Sequence, residues 1–161
     1  MLHATDIMSP KFITVPVSMT IGDLVDVLQR AHIHAAPVLS DAGELVGIVT
    51  QDDILYGTMG SDGSTSTGGA PARIRSRSGL LEIEEFAATS PQEPDLWSRP
   101  VAEIMTEPAI SVGPSASVLE VCEILWSLRI HHVPVVDEGR VIGVISALDL
   151  CRAIAEGKLP I

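Results

Sequence analysis

Residues 33–55 read "IHAAPVLSDAGELVGIVTQDDIL" and residues 130–151 read "IHHVPVVDEGRVIGVISALDLC". The two stretches are copies of one pattern. Each runs Ile-His-x-x-Pro, a short apolar run, a turn containing Gly, a second apolar run, and then a hydroxyl residue with Asp three positions on. Short runs rich in Val and Ile, separated by Asp-Ala-Gly or Glu-Gly, predict β-hairpins: "PVLS" with "LVGIVT", and "PVVD" with "RVIGVIS". The match extends upstream, so that residues 6–55 lie over 103–151 with one single-residue gap. It pairs Ile7 with Ile104, Met8 with Met105, Val15 with Val112, Gly47 with Gly143 and Asp53 with Asp149. Such a repeat governs the reading of the whole fold.

Each copy contains a short extended piece (Phe12 to Val15; Ala109 to Val112) followed by an amphipathic helix. Ile21, Leu24, Leu28 and Ala31 share one face of the first helix, as Val118, Val121, Leu125 and Leu128 share one face of the second. A further helix begins at "QDDIL" and at "ALDLCRAI". The unit is β-α-β-β-α, and one copy of roughly 50 residues buries too little apolar surface to stand alone. The predicted fold class is therefore α/β (α+β), with two pseudo-symmetric repeats packed through their sheets. The organisation is repeat 1 over 1–58, a linker over 59–98 and repeat 2 over 99–161. The linker opens with the Gly/Ser/Thr-rich "GTMGSDGSTSTGGAPA", and its later part, "SGLLEIEEFAATSP", predicts a short helix near 79–88.

Apolar residues make up 46% of the chain but aromatic ones only 3%, so the core must be built from Val, Ile, Leu and Ala. The N-terminus has no basic segment followed by an apolar one, and no stretch is long and apolar enough to span a bilayer. A soluble, cytoplasmic protein is expected. The net charge of −11 argues against nucleic acid or anionic lipid as a partner, since both need a basic surface. Cys122 and Cys151 lack C-x-x-C spacing and read as reduced thiols.

"GIVTQDD" (47–53) and "GVISALD" (143–149) carry the chemistry of interest. A Ser or Thr with an acid three residues later makes a capping box, so Thr50 with Asp53 and Ser146 with Asp149 need do no more than start helices. A capping box favours the longer Glu or Gln, however, and both copies use Asp. A short carboxylate is what dinucleotide-binding folds set against ribose hydroxyls, and a helix N-terminus attracts phosphate. Gly47 and Gly143 are glycines of a sheet that another segment approaches closely. On local sequence both readings stand.

These features together resemble the tandem cystathionine-β-synthase (CBS) domain pair, or Bateman module. The resemblance rests on "DIM" and "EIM" near the repeat starts and on the two long stretches quoted above, and it covers nearly the whole chain outside the linker. It implies a homodimer and an adenosine-type regulatory ligand (AMP, ADP, ATP or S-adenosylmethionine) in clefts between repeats, with no required cofactor. By the same resemblance, Thr50 and Asp53 serve one site and Ser146 and Asp149 the other. The adenine would be framed by Ile13, Thr14, Ala36 and Pro37, and by Ile110, Ser111, Val133 and Pro134.

The copies differ in charge. Arg129 precedes "IHHVP" and Arg152 follows Asp149, whereas repeat 1 has only Lys11 and Arg30 and places Asp52 beside Asp53. A phosphate is thus expected at the second site. Arg73, Arg75 and Arg77 of the linker either reach a phosphate or form a solvated charge run. His32, His34, His131 and His132 have no Cys or carboxylate at ligand spacing, so no metal is expected. No nucleophile elbow, P-loop or dinucleotide fingerprint occurs, and the chain reads as a non-enzyme. Leu119, Cys122 and Trp126 form an extra apolar stripe where repeat 1 has Gly22, Val25 and Gln29, which points to a partner chain, the linker or the core. The expected function is regulatory: a nucleotide-sensing module signalling to an unidentified protein. The alternative is a ligand-free dimerisation or adaptor module.

Overall fold

The computed structural model describes residues 2–58, 74–77, 80–83 and 96–159. The described elements are α1 (Ala4–Ile7), β1 (Val15–Pro16), α2 (Ile21–Ala31), β2 (Ala35–Leu39), β3 (Leu45–Thr50), α3 (Gln51–Thr58), β4 (Ile74–Arg77), β5 (Leu80–Ile83), α4 (Val118–Leu128), β6 (His132–Asp137), β7 (Arg140–Ser146) and α5 (Ala147–Ala155), with 3-10 turns at Leu96–Ser98 and Val101–Glu103.

The repeat is written into the register. Val15 pairs with Val38 in parallel, and Val112 makes the equivalent parallel bridge to Val135. β2 and β3 pair antiparallel with a bulge at Val38/Leu39, and β6 and β7 do so with a bulge at Val135/Val136. In the second hairpin Glu138 (φ 46°) and Gly139 (φ 81°) both lie in the left-handed region, as a two-residue type I′ turn requires. α2 and α4 start alike, with the hydroxyls of Thr20 and Ser117 accepting from Asp23 N and Glu120 N at 3.1 Å. Each then buries an apolar stripe, Ile21, Leu24 and Leu28 in one and Val118, Val121 and Leu125 in the other. Burying such side chains stabilises by about 1.5–3 kcal/mol each. Leu128, expected on the buried face, is 51% exposed because α4 ends there, with Arg129 in the left-handed region.

The two hydrophobic cores do not follow the sequence blocks. Ala4 and Ile7 are buried with Val121, Val133, Val135 and Ile145 of repeat 2, whereas Val101 is buried with Val15, Leu24, Val38 and Val49 of repeat 1. Backbone bonds tie the exchange down: Ala4 N donates to Ala116 O at 2.8 Å, and Ile48 and Thr106 bond each other's amides at 3.0 and 2.9 Å. The opening segment of each copy thus docks on the other copy. Gly47 and Gly143 are where it does so most closely. A Cβ on Gly143 would lie 2.5 Å from Met8 Sδ, and one on Gly47 would lie 2.8 Å from Met105 Sδ and 2.9 Å from Thr106 O.

The helix expected near 79–88 is not what forms at its start. Leu80–Ile83 is a strand, β5, paired antiparallel with β4 and bringing Arg77 opposite Leu80. The Ser-Gly dipeptide at 78–79 between the paired runs is a turn signal that outweighs the spacing of Leu80 and Ile83. The remainder of that expected helix, Arg73, and the side chains of Arg75 and Arg77 lie outside the described residues.

Candidate functional site

Both hydroxyl-x-x-Asp stretches cap their helices. At α5, Asp149 Oδ2 accepts from Ser146 N and Ser146 Oγ at 2.7 Å each, and Asp149 N donates back to Ser146 Oγ at 3.3 Å. At α3, Asp53 Oδ2 accepts from Thr50 N at 2.7 Å and Thr50 Oγ1 at 2.8 Å, with Asp53 N to Thr50 Oγ1 at 3.3 Å. Capping occupies one oxygen of each carboxylate and leaves Oδ1 pointing elsewhere.

The Oδ1 atoms differ. That of Asp149 accepts from Ser9 Oγ at 2.8 Å and from Arg152 Nη2 at 3.0 Å. That of Asp53 has Thr106 Oγ1 at 3.4 Å. Ser9 and Thr106 hold corresponding positions in the two copies, just after the Ile-Met pair, so the exchange of opening segments sets each hydroxyl against the other repeat's carboxylate. Sequence reasoning missed both, although a Ser or Thr at matching places in "DIMSP" and "EIMTE" was a signal for them.

Between the repeats lies a cleft of about 710 Å3, to which both carboxylates and both hydroxyls contribute. Of the residues expected there, Thr50, Asp53, Ser146, Asp149, Ile13, Pro37, Ile110 and Arg129 line it, whereas Thr14, Ala36, Ser111, Val133, Pro134 and Arg152 do not. Ala36 and Val133 are fully buried in the two cores, because strand alternation turns Ala35 and His132 toward the cleft instead. Arg152, expected at a phosphate, is turned back on the protein and donates to Ile7 O at 2.9 Å as well as to Asp149. Lys11 and Phe12, which sequence did not single out for the site, line it beside Ser9. The exposed apolar side chains Ile13 and Ile110, 38% accessible each, are matched across the repeat.

Four histidines from both repeats, His32, His34, His131 and His132, line the same space. His32 and Arg129 end α2 and α4 at corresponding positions with φ 53°, and these left-handed turns lead the chain into the cleft. His34 Nδ1 lies 3.0 Å from Gln51 Oε1. Burial is the main reason that the His132 imidazole titrates below its usual range; His131 and His34 push it the same way, against the weaker pull of Asp149. A lowered folded-state pKa means the unfolded chain binds this proton first, so the contribution to stability is fully present above about pH 6.5 and is lost as pH drops from there toward the folded value. We expect His132→Gln to flatten that acid limb, read as Tm between pH 7.5 and 5.5. A limb as steep as the wild type's would remove His132 as its source.

Among the described residues no helix is long and apolar enough to cross a membrane, and no group of three or more His, Cys, Asp or Glu is placed to hold a metal ion.

Two exchanged β-α-β-β-α repeats closing on a shared cleft define a tandem-repeat α/β module. The CBS-domain family model matches residues 4–59 and 101–156, and the chain belongs to that family. L-aspartate semialdehyde sulfurtransferase of Methanocaldococcus jannaschii is 36% identical over 59 residues, which are 36% of this chain and only 12% of that enzyme. Two solved structures share the fold along nearly their whole length. The CBS domain pair of protein MJ0100, in complex with 5′-methylthioadenosine and S-adenosyl-L-methionine, matches with TM-score 0.68 at 23% identity, covering 98% of each chain. CBSX2 in complex with AMP matches with TM-score 0.70 at 20% identity, covering 99% of this chain and 100% of that one, and the chloroplastic CBS domain-containing protein CBSX2 of Arabidopsis thaliana is 22% identical over 157 residues, 95% of this chain and 63% of that protein.

Proposed function

We propose that this CBS pair is a regulatory module that binds an adenine nucleotide or S-adenosylmethionine in the cleft between its repeats. The observation that carries the proposal is that Asp53 and Asp149, each fixed at a helix N-terminus, both line that one cleft. Its volume, about 710 Å3, is in the range of ligand pockets. Ribose hydroxyls donate to a carboxylate Oδ1, the base lies against Ile13, Pro37 or Ile110, and Lys11 and Arg129 meet a phosphate, which the positive end of the α3 or α5 dipole also favours. The module acts in the cytoplasm, as a homodimer and without catalysis, and passes the signal to a separate protein through a change in how its repeats or protomers pack. A ligand drives such a change only by its difference in affinity between the two states. The family relatives in complex with AMP and with S-adenosylmethionine support the ligand class.

One observation favours the alternative, a ligand-free adaptor: Leu119 and Trp126 on α4 are 69% and 84% exposed and form an apolar face suited to a partner chain. Calorimetric titration with AMP, ADP, ATP and S-adenosylmethionine separates the two. At least one should bind the wild type, and the double variant Asp53→Ala/Asp149→Ala should lose about 100-fold or more, since hydrogen bonds to charged groups are each worth about 1.5–3 kcal/mol. No binding to the wild type, or undiminished binding to the double variant, leaves the adaptor.

A further inference from the structure

The two carboxylates of the cleft do the same capping work and differ in what is left over. An ionised carboxylate offers about four acceptor positions. Asp149 has four donors on them: Ser146 N and Oγ on Oδ2, Ser9 Oγ and Arg152 Nη2 on Oδ1. Its side chain is 11% exposed. Among the described residues Asp53 has Thr50 N and Oγ1 on Oδ2, and on Oδ1 a single hydroxyl at 3.4 Å, at the limit of a hydrogen bond. Where repeat 2 has Arg152, repeat 1 has Tyr56, which is 70% exposed.

We infer that Asp53 is the ribose-binding carboxylate and that Ser9 and Arg152 stand in for the ribose diol at Asp149, so the cleft takes one adenosyl ligand, on the Asp53 side. The inference rests on the adenosyl-ligand reading above and reverses the site preference that charge along the sequence predicts. A hydroxyl arriving at Asp53 Oδ1 gains a short charge-assisted hydrogen bond where Thr106 Oγ1 offers only a long one. One arriving at Asp149 Oδ1 only replaces a bond already made. The difference amounts to roughly tenfold to hundredfold in affinity.

The donors at Asp149 also belong to the docking of the chain's opening segment. Arg152 Nη2 holds Ile7 O at 2.9 Å, and Ser9 exchanges backbone bonds with Val144 at 2.9 and 3.2 Å. A ligand at Asp149 must therefore loosen residues 3–9 from repeat 2, whereas a ligand at Asp53 leaves them seated. Ser9 is a positioning residue that decides which half of the cleft is filled.

Titration of the full chain with AMP and with S-adenosylmethionine tests this. We expect one molecule per wild-type chain, and a loss of at least about tenfold in Asp53→Asn, which keeps the size of the capping side chain. Ser9→Ala should uncover a second site and raise the stoichiometry toward two, and Ser9→Thr should restore one. In Ser9→Ala, saturation should also raise amide exchange at residues 3–9, a response absent from the wild type. Two equivalent sites in the wild type, or Asp53→Asn binding one ligand as tightly as the wild type, would overturn the assignment and leave the adenosyl reading intact. Ser9→Ala that still takes one molecule overturns the role of Ser9. Failure of both ligands to bind the wild type overturns the adenosyl reading on which the inference rests.

Discussion

Met8→Ala should recover much of the stability lost in Gly143→Ala, whereas Met105→Ala should recover little of that lost in Gly47→Ala. The three atoms nearest to a methyl group at Gly143 all belong to the Met8 side chain: Sδ at 2.5 Å, Cγ at 2.9 Å and Cβ at 3.2 Å. At Gly47 the methyl meets Met105 Sδ at 2.8 Å but also Thr106 O at 2.9 Å. That carbonyl cannot withdraw, because it accepts from Ile48 N at 3.0 Å while Thr106 N donates to Ile48 O at 2.9 Å. Overpacking of this kind costs about 1–3 kcal/mol. Removing a flexible thioether relieves it in one copy and leaves a backbone clash in the other. Double-mutant cycles by urea unfolding should give a coupling of about 1 kcal/mol or more for Met8 with Gly143, and a clearly smaller one for Met105 with Gly47. Equal couplings would mean that the two dockings are interchangeable, against the geometry.

Ile7→Ala should destabilise the protein by about 2–5 kcal/mol, the range for emptying a buried Ile site. Ile7 is 2% exposed and lies within the core formed by Val121, Val133, Val135 and Ile145. α1 packs against α4, α5 and β7, none of which belongs to the sequence block that contains it. Hydrogen exchange in the variant should therefore speed up in α4 and the β6–β7 hairpin, more than 110 residues downstream, before it does in β2–β3. Early loss of protection in β2–β3 would place Ile7 in the core of its own repeat, and the exchange of opening segments would be wrong.

Local chemistry made most of the elements legible. Arg140–Ser146 is a strand from end to end because four of its seven residues are β-branched and Glu138-Gly139 supplies the left-handed turn before it. The apolar stripes of α2 and α4, and the capping of α3 and α5, follow from spacings of three and four residues that depend on nothing distant. Alternation says less when both faces of a strand are covered. The family resemblance points to Ala36 and Val133 at the cleft, yet they face the cores, and their neighbours Ala35 and His132 face the cleft. The run at Leu80–Ile83 fits a helical stripe of Leu80, Ile83 and Ala87 as well as a strand, and pairing with Ile74–Arg77 makes it a strand.

By itself the sequence determined two copies of a β-α-β-β-α unit, the two hairpins and the pair of capping Asp residues, all products of contacts within a few residues or of a visible repeat. Only the tertiary structure decided that the opening segments change places, and hence that Ser9 meets Asp149 and Thr106 meets Asp53. It also turned Arg152 onto Ile7 O and Asp149 instead of into the cleft. The physical reason is that a hydrogen-bonding group has a fixed capacity. Whether a carboxylate is free for a ligand depends on which donors the fold brings to it, and at Asp149 one of them comes from the other end of the chain.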